Sequence, residues 1–241
     1  MAISTGILYL VATPIGNLKD ITLRALDVLK EADLVACEDT RHSAKLLNHY
    51  GINKPLLSFY SYNQFNRIPK IIEELKSGKK IALVSDGGTP GISDPGYFLV
   101  KEAVENNIPV VPLPGPNAAI TALVASGLPS DGFVFLGFLK RKPGKLKKEL
   151  LQAAASGKTI IFYESPHRIK KTIAILSTIF DKNTKVVLAR ELTKIYEEFI
   201  RGSLEEINTQ LESKEILGEF VVIISPENKE YKIEENENEE S

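Results

Sequence analysis

Residues 85 to 96 read Ser-Asp-Gly-Gly-Thr-Pro-Gly-Ile-Ser-Asp-Pro-Gly and follow a short apolar run, Ile81 to Val84, that has the content of a buried strand. The twelve positions hold four glycines and two prolines. Glycine permits positive φ and a close approach of backbone to a ligand. Proline fixes its own φ and drives the residue before it, here Thr89 and Asp94, toward extended geometry. The stretch therefore reads as a rigid, folded-back loop that exposes backbone amides and carbonyls beside Asp86, Asp94 and the hydroxyls of Ser85, Thr89 and Ser93. A surface turn needs three or four such residues, not twelve in a row. In an open α/β sheet, ligands bind outside the carboxyl ends of the strands, which is where this loop falls.

The rest of the chain has the rhythm that such a sheet needs. Ile7 to Ala12 is a strand ending in the turn Thr13-Pro14-Ile15-Gly16-Asn17, which lacks the spacing of a dinucleotide-binding glycine motif. Asp20 is placed to cap an amphipathic helix over Ile21 to Ala32. Asp33 to Cys37 is a second strand, with Glu38-Asp39-Thr40-Arg41 at its carboxyl end, readable as a site edge or as a helix start capped by Asp39 or Thr40. Leu56 to Tyr60 reads as a strand, Arg67 to Ser77 as a helix, Gly96 to Asn107 as a helix and Val110 to Leu113 as a strand. The proline-rich stretch 112 to 116 reads as a linker, and Ala118 to Ser126 as a helix of small residues. Beyond it, strands are expected over Phe133 to Phe138, Thr159 to Glu164, Lys185 to Arg190, Glu197 to Arg201 and Glu219 to Ile224, with helices between. The fold class is α/β in two α/β domains, 1–114 and 115–226, followed by an acidic tail, 227–241, whose composition predicts disorder.

Composition narrows the partners. A net charge of −1 excludes the overall basic character of many nucleic-acid binders, so any RNA contact must come from a local patch. Lys140, Arg141, Lys142, Lys145, Lys147 and Lys148 supply one: six basic groups within nine positions, readable as an RNA-binding arm or as a solvated helix face. The single cysteine, Cys37, fits a reducing compartment. With no signal peptide and no apolar run long enough to span a membrane, the expectation is a cytoplasmic protein with no membrane partner. His42, His49 and His167 show no ligand spacing, so no metal is expected.

Leu10 to Leu18 with Asp20-Ile21-Thr22, the segment Cys37 to Arg41, the loop Ser85 to Gly96, Pro112 to Ala118, Ser126-Gly127-Leu128-Pro129 and Gly137-Phe138-Leu139 together carry a family resemblance. They closely resemble the small-subunit (16S) ribosomal RNA 2′-O-ribose methyltransferases that modify a cytidine of the decoding centre, within the tetrapyrrole methylase superfamily. The resemblance covers residues 7 to about 225. It implies S-adenosylmethionine as cofactor, held in a cleft between the two domains, and a homodimer. By position it implies cofactor contacts at Pro14, Asp86, Gly88, Thr89, Asn117, Ala118, Thr121, Tyr163, Ala189 and Gly218. Two departures stand out: Gly87 where the family's loop has alanine, and Lys140 where it has proline after Gly-Phe-Leu.

A ribose hydroxyl is a poor nucleophile until its proton is accepted, so a general base is expected near the transferring methyl group. Asp94, Glu38, Asp39 and Glu164 all lie near strand ends, with Asp94 and Glu38 the leading pair and Arg41 available to hold a phosphate or orient a carboxylate. Asp94 before Pro95 also reads as a loop brace, and Glu164 before Ser165-Pro166 as a helix-start device. Tyr60, Tyr62 and Phe65 are candidates for stacking on an extruded base, with core packing as the alternative for Phe65. The leading reading is a methyltransferase of 16S rRNA, acting within the small ribosomal subunit. A tetrapyrrole methyltransferase of the same fold gives no role to residues 140 to 148, and a non-catalytic nucleotide-binding or ribosome-assembly module predicts cofactor binding without turnover.

Overall fold

The computed structural model of the protein describes residues 5–212 and 216–226. The chain divides into two compact units at the Asn117/Ala118 junction, so Gly115, Pro116 and Asn117 remain with the first unit. Pro112 and Leu113, which fell in both the strand and the linker read from sequence, belong to the strand, because their register places them beside Leu10 and Val11. The expected acidic tail, 227–241, lies outside the described residues.

The first unit is a five-stranded, all-parallel sheet in the order β3-β2-β4-β1-β5, built from β1 (Ile7–Val11), β2 (Leu34–Cys37), β3 (Leu56–Ser58), β4 (Lys80–Leu83) and β5 (Val110–Leu113). Its inner strands are nearly continuous apolar runs because both faces are covered. Helices α1 (Leu23–Glu31) and α2 (Thr40–His49) bury Ala25, Leu29 and Leu47 against one face with Val11, Val35 and Val84. Helices α3 (Gln64–Lys76) and α4 (Tyr97–Glu105) bury Ile68, Ile71, Leu75, Leu99 and Ala103 against the other, with Leu8, Ala36, Ile81 and Leu83. The neighbours β1 and β4 therefore send their chains out in opposite directions, α1 over one face and α4 over the other. Such a reversal opens a crevice at the carboxyl ends of the two strands.

Two helix starts differ from the sequence expectation. Asp20 does not cap α1; it sits in a short 3-10 turn, Leu18–Asp20, and Thr22 caps the helix by accepting from Ala25 N at 3.1 Å. A threonine hydroxyl next to the first turn makes the same bond a distant carboxylate would have made. Asp39 is the N-cap of α2, accepting from Arg41 N at 2.8 Å.

The second unit is a mixed five-stranded sheet, β6-β7-β10-β8-β9, formed by β6 (Phe133–Phe138), β7 (Thr159–Glu164), β8 (Lys185–Arg190), β9 (Glu198–Ser203) and β10 (Phe220–Ser225). Only β6 and β7 pair in parallel. Strand side chains alternate between faces. One face, with Ile160, Phe162, Leu188, Ile200 and Val222, packs under α6 (Pro143–Ala154), α7 (Ile169–Leu176) and α8 (Leu204–Glu212). The opposite face carries α5 (Ala118–Ser126), which packs on β7, β8 and β10. Its buried Ala119 and Ala122 let the helix approach closely. The basic run straddles the start of α6: Lys140 to Lys142 precede it, and Pro143 is its first residue, a position that suits its fixed φ and missing N–H.

Candidate active site

The segments that leave β1 and β4 are tied together by hydrogen bonds that the sequence alone does not reveal. Thr13 and Gly88 pair as an isolated antiparallel bridge, with both N–H···O bonds at 2.9 Å. The Thr13 hydroxyl donates to Ser85 O at 3.0 Å, and the Ser85 hydroxyl donates to Gly88 O at 3.1 Å. Gly88 takes φ +95°, a conformation that favours glycine, so the loop can turn back on β1. Thr89 extends the network to the end of β5 by donating to Pro116 O at 3.1 Å. Gly115 presses against β1 so closely that an added Cβ would lie 2.7 Å from Ala12 Cβ. Pro14, Asp86, Gly88 and Thr89, singled out from sequence, thus lie in or next to one hydrogen-bonded patch with Ser85, whose hydroxyl the sequence also marked, and Thr13 is the residue that sequence reasoning gave no role. Its signal is only a small hydroxyl residue two positions past the end of β1.

Carboxylates gather at the same strand ends. Asp86 accepts from Asp39 N at 3.1 Å, tying the β4 loop to the end of β2. The carboxyl groups of Glu38 and Asp94 lie close enough to interact, so a charge on one disfavours a charge on the other. Glu38 Oε1 is buried and has no hydrogen-bond partner among the described residues, which penalises the charged form further. Burial, with the nearby charges of Asp94 and Asp86, pushes Glu38 up to about 7. Burial likewise pushes Asp94 up to about 6. Such a pair can take up or release a proton near neutrality, and its values belong to the pair rather than to either residue.

The other charged candidates have different surroundings. Arg41 is 88% exposed and forks onto the Asp39 carboxylate, at 3.2 Å from Nε and 3.0 Å from Nη2. That hydrogen-bonded guanidinium holds Asp39 down at about 2, so Asp39 is a poor proton acceptor at neutral pH. Glu164 lies at the end of β7 but its side chain is fully buried. It accepts from Ser165 N at 2.8 Å and from the Thr172 hydroxyl at 2.6 Å, with Arg168 3.4 Å away. This is a helix-start anchor, not an open base.

The remaining cofactor candidates lie in the second unit, apart from Asn117 just before it. Tyr163 and Ala189 are both in register with Val221, so the three side chains form a row across β7, β10 and β8 on the face that carries α5. Tyr163 is braced edge-on by Phe135 and Phe138, at centroid distances of 5.0 and 5.4 Å. Ala118 and Thr121, one helical turn apart, share a face at the start of α5. Gly218, at φ +90°, precedes β10 where an added Cβ would collide with the Glu191 side chain. Lys140, Arg141, Lys142, Lys145, Lys147 and Lys148 are all exposed around the start of α6, and among the described residues no ion pair engages their charged groups. Leu146 and Leu150, buried on the other side of α6, hold that helix to its sheet. Among the described residues, no cluster of His, Cys, Asp and Glu is arranged to hold a metal ion, and no helix is long and apolar enough to cross a membrane.

A parallel α/β unit with a carboxylate-lined crevice, followed by a mixed-sheet unit, is the arrangement of a tetrapyrrole methylase. The model of the Tetrapyrrole (Corrin/Porphyrin) Methylases matches residues 7–208. A uroporphyrin-III C-methyltransferase from Thermus thermophilus, solved in complex with S-adenyl homocysteine, superposes with a TM-score of 0.61 at 19% identity, covering 90% of this chain and 97% of that one. Two relatives are much nearer in sequence. The ribosomal RNA small subunit methyltransferase I of Halalkalibacterium halodurans is 51% identical over 219 residues, 91% of this chain and 75% of the relative. That of Bacillus subtilis is 50% identical over 232 residues, 96% of this chain and 79% of the relative. The chain belongs to the ribosomal RNA small subunit methyltransferase I family of the tetrapyrrole methylases.

Proposed function

We propose that the protein transfers a methyl group from S-adenosylmethionine to the ribose 2′-oxygen of a cytidine in the decoding centre of 16S rRNA. The observation that carries this reading is the 51% identity to a ribosomal RNA small subunit methyltransferase, spread over 91% of the chain. The residues present fit the cofactor. A sulfonium is a cation, and Glu38, Asp86 and Asp94 create a negative field at one set of strand ends. Asp86 and Gly87 are exposed beside the Gly88 turn, within reach of a ligand, while the Tyr163 row beneath a small-residue helix suits a flat, largely apolar ring.

When bound, the cofactor supplies an electrophilic methyl group and a neutral leaving sulfur. The positions that the family resemblance implies, Pro14, Asp86, Gly88, Thr89, Asn117, Ala118, Thr121, Tyr163, Ala189 and Gly218, hold and orient it. The Glu38–Asp94 pair accepts the proton of the ribose 2′-hydroxyl as its oxygen becomes the nucleophile. Arg41, its guanidinium largely exposed beside Asp39, contacts a backbone phosphate. The six cations around the start of α6 bind further phosphates. The protein works as a homodimer in the cytoplasm, on rRNA within the small ribosomal subunit. The exposed basic residues favour RNA over a tetrapyrrole as acceptor.

The test uses purified protein, labelled S-adenosylmethionine, and small ribosomal subunits lacking the modification, with naked 16S rRNA in parallel. Label recovered in 2′-O-methylcytidine is the expected result. Cofactor binding without transfer to either RNA form overturns the reading.

A further inference from the structure

Five aromatic side chains protrude from the first unit near the carboxyl ends of its strands. Tyr60 and Tyr62 follow β3, Phe65 lies in the first turn of α3, and Tyr97 and Phe98 open α4. Tyr62 is 93% exposed, Tyr97 65% and Phe65 61%, so core packing, the alternative for Phe65, does not occur. The rings are grouped: Phe65 and Phe98 lie 5.0 Å apart, Phe98 and Tyr97 5.0 Å, and Tyr60 and Tyr62 6.4 Å. The turn that presents them is held by its own amides. Asn63 accepts from Tyr60 N at 2.8 Å and donates to Ser58 O at 3.1 Å, and Gln64 donates to Ser61 O at 3.1 Å.

Position and charge identify what these rings meet. Phe59 N donates to Cys37 O at 2.7 Å, which sets the start of this segment against the strand end that carries Glu38. Tyr97 is the third residue after Asp94. The surface therefore begins next to the segments that carry Glu38 and Asp94. Residues 59–72 and 95–101 contain no aspartate or glutamate, and they carry Arg67, Lys70 and Lys101, of which Lys101 pairs with Glu105 at 3.7 Å. An aliphatic partner surface has no need of rings with a cationic border. Unpaired nucleobases do, because every base has a π-face to stack and a phosphate attached.

We propose that this aromatic surface is a stacking platform for the unpaired RNA bases flanking the nucleotide to be methylated, an inference that rests on the rRNA methyltransferase reading. The platform holds the strand open beside the carboxyl pair, while the cations of α6 supply affinity that is blind to base pairing.

The experiment uses the full chain and a short single-stranded RNA carrying 2-aminopurine, with its duplex as control. Wild-type protein quenches the single strand and not the duplex. Tyr62→Ala and Phe65→Ala each weaken single-strand binding about ten-fold, and Tyr62→Phe and Phe65→Trp restore it. The alanine variants raise KM for small subunits with unchanged cofactor affinity and melting temperature. Alanine variants that bind the oligonucleotide and turn over subunits as the wild type does overturn the platform while leaving the methyltransferase reading intact. A shift from dimer to monomer in sedimentation, with RNA binding unchanged, also overturns it, by assigning the surface to a second copy of the chain. Should no RNA be methylated at all, the methyltransferase reading fails, and the quenching comparison still decides the platform: ring-dependent quenching of the single strand upholds it, and its absence overturns it.

Discussion

Glu38 and Asp94 lie side by side although one follows β2 and the other lies in the loop after β4, and each carboxyl is held above the ordinary range. Only an ionised partner can accept the ribose proton, so methyl transfer rises with pH as the pair titrates between about 6 and 7. Glu38→Gln and Asp94→Asn each lower kcat about 100-fold or more, with cofactor affinity reduced far less. A pH–rate profile for single-turnover methylation of small subunits checks this, and a flat profile from pH 5.5 to 8 removes the pair from the chemistry.

The same pair weakens the fold at high pH. Its raised pKa values mean that the native chain binds protons more tightly than the unfolded one, so stability falls as pH rises from the ordinary carboxyl range through 7. Glu38→Gln relieves this. The variant is more stable than wild type at pH 8 by about 1 to 2 kcal/mol after allowance for solvent screening, with the gain vanishing near pH 4. Denaturant melts at the two pH values read the difference.

Two glycines beside the crevice separate by the space around them. At Gly87 an added Cβ would meet Pro14 O at 3.4 Å and Ile15 Cα at 3.7 Å, and its φ is not in the left-handed region. Gly87→Ala, the residue that the family resemblance leads one to expect there, changes stability by less than about 1 kcal/mol and leaves cofactor binding intact. Gly115→Ala drives a methyl into Ala12, displaces the β5 loop from β1 and costs about 1 to 3 kcal/mol with weakened cofactor affinity. Thermal melts and isothermal titration with S-adenosylhomocysteine distinguish them.

Glu164 tests the distinction between a buried anchor and a base. Glu164→Gln replaces a carboxylate that accepts from Ser165 and Thr172 and lies beside Arg168. The substitution lowers stability by about 1 to 3 kcal/mol, yet the folded enzyme keeps its kcat and pH profile at 20 °C. A kcat loss as large as that of Glu38→Gln contradicts the assignment.

The exposed cations of α6 predict a salt signature. Replacing Lys145, Lys147 and Lys148 together by glutamine lowers the slope of log affinity against log salt by about 2, since each lost phosphate contact releases fewer counterions. The melting temperature stays within about 2 °C, because Leu146 and Leu150, not the lysines, hold the helix. Filter binding across a salt series measures it.

The sequence by itself determined the strand–helix alternation, the site-bearing loop 85 to 96 and the family, because these rest on local periodicity and on residue types that only certain backbones accept. It carried Asp86, Gly88, Thr89 and the Glu38–Asp94 pair as candidates for the same reason. The sequence offered a cap at Asp39, a helix-start role at Glu164 and Glu38 with Asp94 as the leading pair, but left each open against a role as base. Local bonds to Arg41 N and to Ser165 and Thr172 settle the first two, while the meeting of Glu38 with Asp94 depends on parallel strands that bring the ends of β2 and β4 together. The exposure of Phe65 beside Phe98 likewise depends on where α3 and α4 lie side by side, a long-range packing outcome that no local pattern encodes. Proton affinity and solvent access depend on neighbours distant in the chain, so tertiary structure settles both.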